Sequence, residues 1–179
     1  MTSKNIVSFI IAFTFLLVIS GCGPSGPPVQ FVEGTVSVDG ELLEGVTVTF
    51  CPTSTDGNPD DLTRPLMASG TTDEKGHFRL SAVQGGAIGG GTTMGEYAVA
   101  IVKKINTRPP PVVRQGDPPP TPAMTRPIFH YYTPEIYERQ ETTPITVEVN
   151  RGRNRFDIDL KSDGTGYTIN GENFTVDRR

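Results

Sequence analysis

Several residue types that support particular chemistries are scarce in this chain of 179 residues. It has no Trp, two Cys and two His. His77 and His130 stand in no motif such as H-E-x-x-H, so we expect no zinc site, which needs clustered ligands. Gly23-Pro24-Ser25-Gly26 does not fit the G-x-S-x-G motif of serine hydrolases. The net charge is −4 and the basic residues form no block, which argues against a nucleic-acid partner.

The N-terminal segment is apolar but short. Lys4 supplies a positive charge, and the residues from Ile6 to Ile19 are almost wholly apolar. This run of about 14 residues is shorter than the roughly 20 that a helix needs to span a bilayer. The small residues Ser20 and Gly21 follow it, which indicates a secretion signal. An uncleaved anchor helix and an ordinary cleaved signal are the alternatives to a lipoprotein signal.

The stretch Leu17–Cys22, with the sequence LVISGC, resembles the lipobox of bacterial lipoproteins. The resemblance implies that residues 1–21 are removed and that Cys22 becomes the lipidated first residue. In that family the thiol takes a diacylglyceryl group, and the new amine is usually acylated. Each buried methylene contributes about 0.8 kcal/mol, so two or three chains anchor stably where one would be marginal. Gly23 stands where Asp would resemble an inner-membrane retention signal, which favours the outer membrane or cell surface.

The remainder of the chain alternates between apolar and polar residues, as half-buried β-strands do. Residues 22–30 are rich in Pro and Gly and are predicted to form a tether. Seven strands are expected, at residues 32–38, 46–50, 66–72, 77–82, 96–103, 145–149 and 156–160. Turn signals such as Asp39-Gly40 separate them. The pattern therefore predicts an all-β fold, an antiparallel seven-stranded β-sandwich over residues 31–160.

Two further segments interrupt or follow these strands. Residues 106–128 hold eight of the sixteen prolines, which favours polyproline II and predicts a long surface excursion. Residues 161–179 contain a small hairpin signal around Asn170-Gly171. A lone hairpin is marginal in water, so this one should pack on the domain or stay mobile. One short helical turn is expected near Pro134–Tyr137.

Six segments follow the order of strands and turns in a known module. They are Val32–Val36, Asp39–Gly40, Leu43–Val48, Thr72–Phe78, Gly95–Val99 and Val147–Leu160. Together they resemble the carboxypeptidase regulatory-like domains, which have a transthyretin-like (prealbumin-like) sandwich. The same order behind a lipobox resembles small lipoproteins of planctomycetes, although Met94 replaces the usual Pro. The resemblance implies a non-catalytic module and says almost nothing about chemistry.

The candidate ligand-binding residues are the aromatics Phe129, Tyr131, Tyr132 and Tyr137. Aromatic faces stack on sugars or contact a partner protein, although two of these rings could instead cap the edge of the sandwich. The Pro-rich segment is a second candidate contact for a partner. The acidic loop Asp56–Asp61 lacks the spacing of an EF-hand and is interpreted as solvated. Gly85–Gly91 lacks G-K-[ST] and is interpreted as a flexible connection, not a phosphate cradle.

These observations predict a non-enzymatic, membrane-anchored lipoprotein that acts as a structural or protein-interaction module of the cell envelope and needs no cofactor. The alternative is a glycan- or peptide-binding module that uses the Tyr131–Tyr137 region and the Pro-rich loop, and a cryptic hydrolase is a third hypothesis. The expected partners are the membrane, through the lipid anchor, and an envelope protein or glycan. Cys51 is expected to be a buried inert thiol, and acylation of Cys22 would leave it without a disulfide partner.

Overall fold

The computed structural model describes residues 28–54, 64–82, 90–109, 116, 118–119 and 121–176. Within these ranges the chain is all-β, with almost no helix. Several predicted features lie outside the described residues: the signal segment with Cys22, most of the tether, the acidic loop Asp56–Asp61, and much of the Gly-rich and Pro-rich segments. The described domain therefore begins at residue 28, near the end of the predicted tether.

The described strands are short, and most of them are joined by turns. In chain order they are β1 (Phe31–Val38), β2 (Glu41–Leu42), β3 (Thr47–Pro52), β4 (Ala68–Thr71), β5 (His77–Arg79), β6 (Ser81–Ala82), β7 (Gly95–Val102), β8 (Lys104–Asn106), β9 (Phe129–Tyr131), β10 (Thr146–Val149), β11 (Arg153–Leu160), β12 (Gly166–Ile169) and β13 (Glu172–Thr175). A helical turn covers Pro122–Thr125, and a 3₁₀ turn covers Glu135–Tyr137, where one was expected.

The strands form two large sheets and one ribbon. The first sheet has the order β13-β12-β11-β1-β2, and β5 also pairs with β1. The second has the order β10-β7-β3-β4-β6, and β8 pairs with β9 in a separate two-stranded ribbon. The described strand pairs are antiparallel except for β1 with β11, which is parallel over Phe31–Val38 and Arg153–Leu160. The all-β, mainly antiparallel character matches the expectation, and this parallel pair departs from it.

A strand overlaps each of the seven predicted segments, but the prediction of one strand over residues 77–82 is wrong. Two short strands form there, one on each side of Leu80. β5 pairs with β1 in the first sheet, whereas β6 pairs with β4 in the second. The chain passes from one sheet to the other at this point, so a single ladder cannot continue through it. Phe78 and Leu80 are nevertheless both buried, as the alternation predicted.

The C-terminal hairpin packs on the domain. β12 pairs with β11 and β13 pairs with β12, so the hairpin extends the first sheet. Asn170 and Gly171 have φ values of 51° and 86°, the positive angles that a tight two-residue hairpin turn requires. Tyr167 and Val176 belong to the hydrophobic core. Of the two outcomes expected for this hairpin, the structure shows the packed one.

The core contains side chains from both large sheets. The Phe50 ring of β3 lies 5.7 Å from the Phe156 ring of β11 and 5.9 Å from the Tyr97 ring of β7, measured between centroids. Tyr97 is fully buried. Its hydroxyl donates to the carbonyl oxygen of Thr93 at 2.9 Å and lies within hydrogen-bond distance of the Thr92 hydroxyl. A buried hydroxyl needs such partners to offset its lost hydration.

The turn before β5 is closed by Asp73, within the predicted motif Thr72–Phe78. The backbone N–H groups of His77 and Lys75 donate to its carboxylate at 3.0 and 2.9 Å, and Gly76 has a φ of 67°. These hydrogen bonds lower the pKa of Asp73. A lowered carboxylate pKa stabilises the fold above the ordinary aspartate value of about 3.9, and the contribution is lost as the pH falls through the lowered value.

Substitution of Gly34 tests the close contact between β1 and β11. A Cβ at this position would overlap the main-chain carbonyl of Phe156 and come 3.0 Å from the Phe78 ring. We expect Gly34→Ala to lower the free energy of unfolding by about 3 kcal/mol, because main-chain atoms of a paired strand cannot move aside. Urea denaturation of the full-length protein measures the change.

Gly152→Ala is the control for this substitution. Gly152 has a φ of 103° but open space around its Cα, so Ala there should cost only about 1 kcal/mol of backbone strain. Equal losses for the two variants would show that the β1–β11 contact is not close in solution.

Candidate functional site

Strands β8 and β9 stand apart from the two large sheets. In the described chain they pair only with each other, with Lys104 opposite Tyr131 and Asn106 opposite Phe129. Backbone hydrogen bonds between Thr107 and Ile128 and between Tyr132 and Lys103 extend the pairing at both ends. We call residues 103–109 and 125–132 the basic ribbon. It forms the base of the predicted Pro-rich excursion and contains three of the four candidate aromatic residues.

The basic ribbon and the start of β1 lie at opposite ends of the domain. β1 begins at Phe31, which bonds to Gly152, and the preceding residue bridges to Thr92 just before β7. β7 runs away from that end, and Val102 at its far end pairs with Thr47. β7 has eight residues, and a strand of that length spans roughly 25 Å. The basic ribbon follows β7 directly and so starts about that far from the start of β1.

Three candidate aromatic residues lie on the basic ribbon beside lysine side chains. Phe129 and Tyr132 are 39% and 42% exposed, and Tyr131 is half-buried. Lys104 Nζ lies 4.9 Å from the Phe129 ring centroid and 5.7 Å from that of Tyr131. Lys103 Nζ lies 5.0 Å from the Tyr132 centroid. These are cation–π distances, so each of these rings has an ammonium group over one face.

Tyr137 does not belong to this surface, which corrects the candidate set. Its side chain is fully buried, and its hydroxyl donates to the carbonyl oxygen of Gly166 at 2.8 Å. Its ring meets the ring of Tyr167 edge-on, with centroids 6.2 Å apart. The 3₁₀ turn directs this side chain into the core. Tyr137 therefore has the structural role that was the alternative to ligand binding.

Two exposed apolar residues of the basic ribbon were missed by the sequence reasoning. Ile105 is 49% exposed and Ile128 is 52% exposed. Residues directly opposite in an antiparallel pair share a face, so Ile105 lies with His130, whereas Lys104 lies with Tyr131 on the other face. The available signal was an isoleucine at each end of the proline-rich segment, with Ile105 directly after Lys103 and Lys104.

The basic ribbon is also a local concentration of positive charge. It contains Lys103, Lys104, Arg108 and Arg126 and no Asp or Glu, in a chain whose net charge is −4. Lys104 forms an ion pair with Glu138, which follows the ribbon in the chain. The hydrogen bond donated to Glu138 raises the pKa of Lys104. Together with Glu138, the basic ribbon carries a net charge of +3.

The other candidate groups lie apart from the basic ribbon or inside the fold. His77 is in β5 of the first sheet, 3.5 Å from Glu33, whereas His130 is in β9. Among the described residues, no three His, Cys, Asp or Glu side chains are grouped so that they could hold a metal ion. Cys51 is buried and unpaired, as predicted, and burial followed by the charge of Glu141 raises its pKa.

Comparison with known proteins identifies no relative of this chain. No family model matches the chain, and no curated protein or solved structure matches it at a significant level. In the parts of the chain that the structure describes, no helix is long and apolar enough to cross a membrane. The resemblance to carboxypeptidase regulatory-like domains therefore rests on the sequence motifs alone.

The two kinds of aromatic residue should respond differently to truncation. We expect Tyr137→Ala to lower the free energy of unfolding by about 4 kcal/mol, because it leaves a large cavity in the core. Phe129→Ala should change it by less than about 0.5 kcal/mol, because the ring is exposed. Urea denaturation of both full-length variants makes the comparison. A large loss for Phe129→Ala would mean that the basic ribbon is part of the core.

Burial should make Cys51 unreactive. In the Cys22→Ala protein it is the remaining thiol. Its 6% exposure limits the access of a reagent, and its raised pKa lowers the fraction present as the reactive thiolate. We expect a disulfide reagent to modify it at least about tenfold more slowly in the folded than in the unfolded protein. The Cys22→Ala, Cys51→Ser protein gives the background rate. Equally fast modification before and after unfolding would contradict the buried position.

Proposed function

We propose that the protein is a lipid-anchored, non-enzymatic interaction module of a bacterial cell envelope. The observation that carries the proposal is the lipobox-like Leu17–Cys22 directly before a β-domain. Lipidation of Cys22 would remove residues 1–21 and leave residues 22–30 as a tether. Nine extended residues reach roughly 30 Å, so the domain would remain close to the bilayer surface. Gly23 favours the outer membrane or cell surface as the location.

We further propose that the two large sheets form a β-sandwich of the carboxypeptidase regulatory-like type. The shared core, with Phe50 of one sheet against Phe156 of the other, supports this arrangement. So do the turns at Asp39-Gly40 and Asp73–Gly76, where positive φ angles stand at the positions that carry the resemblance. That type of domain is a scaffold, and the activity of such a scaffold depends on its loops.

The basic ribbon is the surface that we propose for the interaction. It is the one place in the described chain where the candidate aromatic residues, exposed aliphatic side chains and several cations meet. A glycan or peptide is the alternative ligand for this surface. Sugars stack on aromatic faces, and Lys103 and Lys104 already cover one face of the Tyr132 and Phe129 rings. A glycan would therefore have to stack on the opposite faces of these rings.

Metabolic labelling with radioactive palmitate tests the anchor. We expect the wild-type protein to incorporate label and Cys22→Ala to lose it completely, because the lipidated thiol would be absent. Cys51→Ala is the matched control, since it removes the other cysteine of the chain and should keep full labelling. Equal labelling of wild type and Cys22→Ala, or loss of labelling in Cys51→Ala alone, would overturn the proposal.

A further inference from the structure

We infer that the basic ribbon binds the surface of an anionic lipid bilayer, with its apolar side chains in the interfacial region. The inference deepens the proposed function and rests on it, because it requires a protein that is held at a membrane. It identifies the bilayer surface as the partner of the ribbon. The lipid anchor determines that the protein is at a membrane. The ribbon would determine how the domain lies against one.

The basic ribbon exposes several large apolar side chains to water. Four of the eight exposed large hydrophobic residues of the described chain are on it: Ile105, Ile128, Phe129 and Tyr132. An isolated two-stranded ribbon is marginally stable at best in water and needs packing against another surface. β8 and β9 pair with neither large sheet, so we expect a surface outside the domain to cover these apolar side chains.

Both faces of the basic ribbon carry apolar side chains. Phe129 and Tyr131 lie on one face, whereas Ile105 lies on the other with His130. A globular partner that docks on one face would leave the opposite face in water. The bilayer interface surrounds an inserted ribbon, so it can contact both faces at once. This geometry favours a lipid surface over a folded protein.

The charge of the basic ribbon complements that of an anionic bilayer. The basic ribbon has four cations and no acidic residue, on a chain with a net charge of −4. Anionic headgroups attract basic side chains near the surface and repel the acidic remainder of the chain. Lysine and tyrosine side chains also suit this region, because an apolar stem or ring can be buried while the polar end stays in water. The combination of cations, aromatic rings and isoleucines is typical of interfacial segments.

The position of the basic ribbon permits this contact. It lies roughly 25 Å from the start of β1, and the tether spans up to about 30 Å. The domain can therefore lie along the anchoring bilayer with the ribbon in the same surface, or it can point the ribbon at a facing bilayer. In both arrangements the same side chains of the ribbon contact the surface of an anionic bilayer.

A tryptophan probe tests the inference, because the natural chain contains no Trp. Full-length Phe129→Trp protein is reconstituted into vesicles of anionic phospholipid and, separately, of zwitterionic phospholipid. With anionic vesicles we expect a blue shift of emission and strong quenching by lipids brominated on the acyl chains. Phe174→Trp is the matched control, since Phe174 is 41% exposed on β13. Its emission should be quenched weakly and equally in both vesicles.

The contribution of charge is tested in the same protein. Lys103→Gln in the Phe129→Trp background removes one cation of the ribbon, so the equilibrium between docked and undocked ribbon should shift about fivefold toward undocked. Lys75→Gln, in the turn before β5, is the control and should leave quenching unchanged. Added salt should weaken the docking, because it screens surface charge.

The outcomes separate this inference from the proposed anchor. Palmitate labelling reports on Cys22, whereas tryptophan quenching reports on the basic ribbon. Labelled protein whose Phe129→Trp emission is no more quenched than that of Phe174→Trp would overturn the inference and leave the anchor intact. An emission shift with an acidic polysaccharide or an acidic peptide, but not with anionic vesicles, would overturn it in favour of a polymer ligand.

Discussion

The parallel pairing of β1 with β11 is the contact on which the arrangement of the domain depends. It joins strands that are more than a hundred residues apart in the chain and is continuous over eight residue pairs. On its outer face Thr35 donates to Asp157 at 2.9 Å and Ser37 donates to Asp159 at 2.6 Å. The strands approach closely because Gly34 has no side chain beneath the Phe156 carbonyl. β1 thereby lies inside the first sheet, with β11 on one side.

This pairing also determines where the ends of the domain lie. It fixes Phe31 beside the turn before β11, and the bridge from Gln30 to Thr92 places the start of β7 at the same end. β7 then directs the chain to the opposite end, where the basic ribbon begins. A lipid anchor on the tether and a ribbon at the far end would give the domain two separate points of contact with the envelope.

The local patterns of the sequence predicted many of the elements and the turns between them. Alternation located a strand in each of the seven segments, and Asn170-Gly171 located the C-terminal hairpin. The sequence could not show that the chain changes sheets at Leu80, because burial alternates in the same way on both sides of that residue. It also did not separate Tyr137 from Tyr131 and Tyr132, since nearby aromatic residues become core or surface according to the direction in which the backbone turns.

Features that depend on local chemistry could be predicted from the sequence: the lipobox-like Leu17–Cys22, the all-β character, the turns and the excess of proline in residues 106–128. Contacts between side chains far apart in the chain could not. The fold pairs β1 with β11, buries Tyr137, and places Lys104 opposite Tyr131 and Ile105 opposite His130 across the proline-rich segment. The physical reason is that side-chain alternation reports the exposure of a residue to water, whereas strand pairing depends on contacts between segments far apart in the chain.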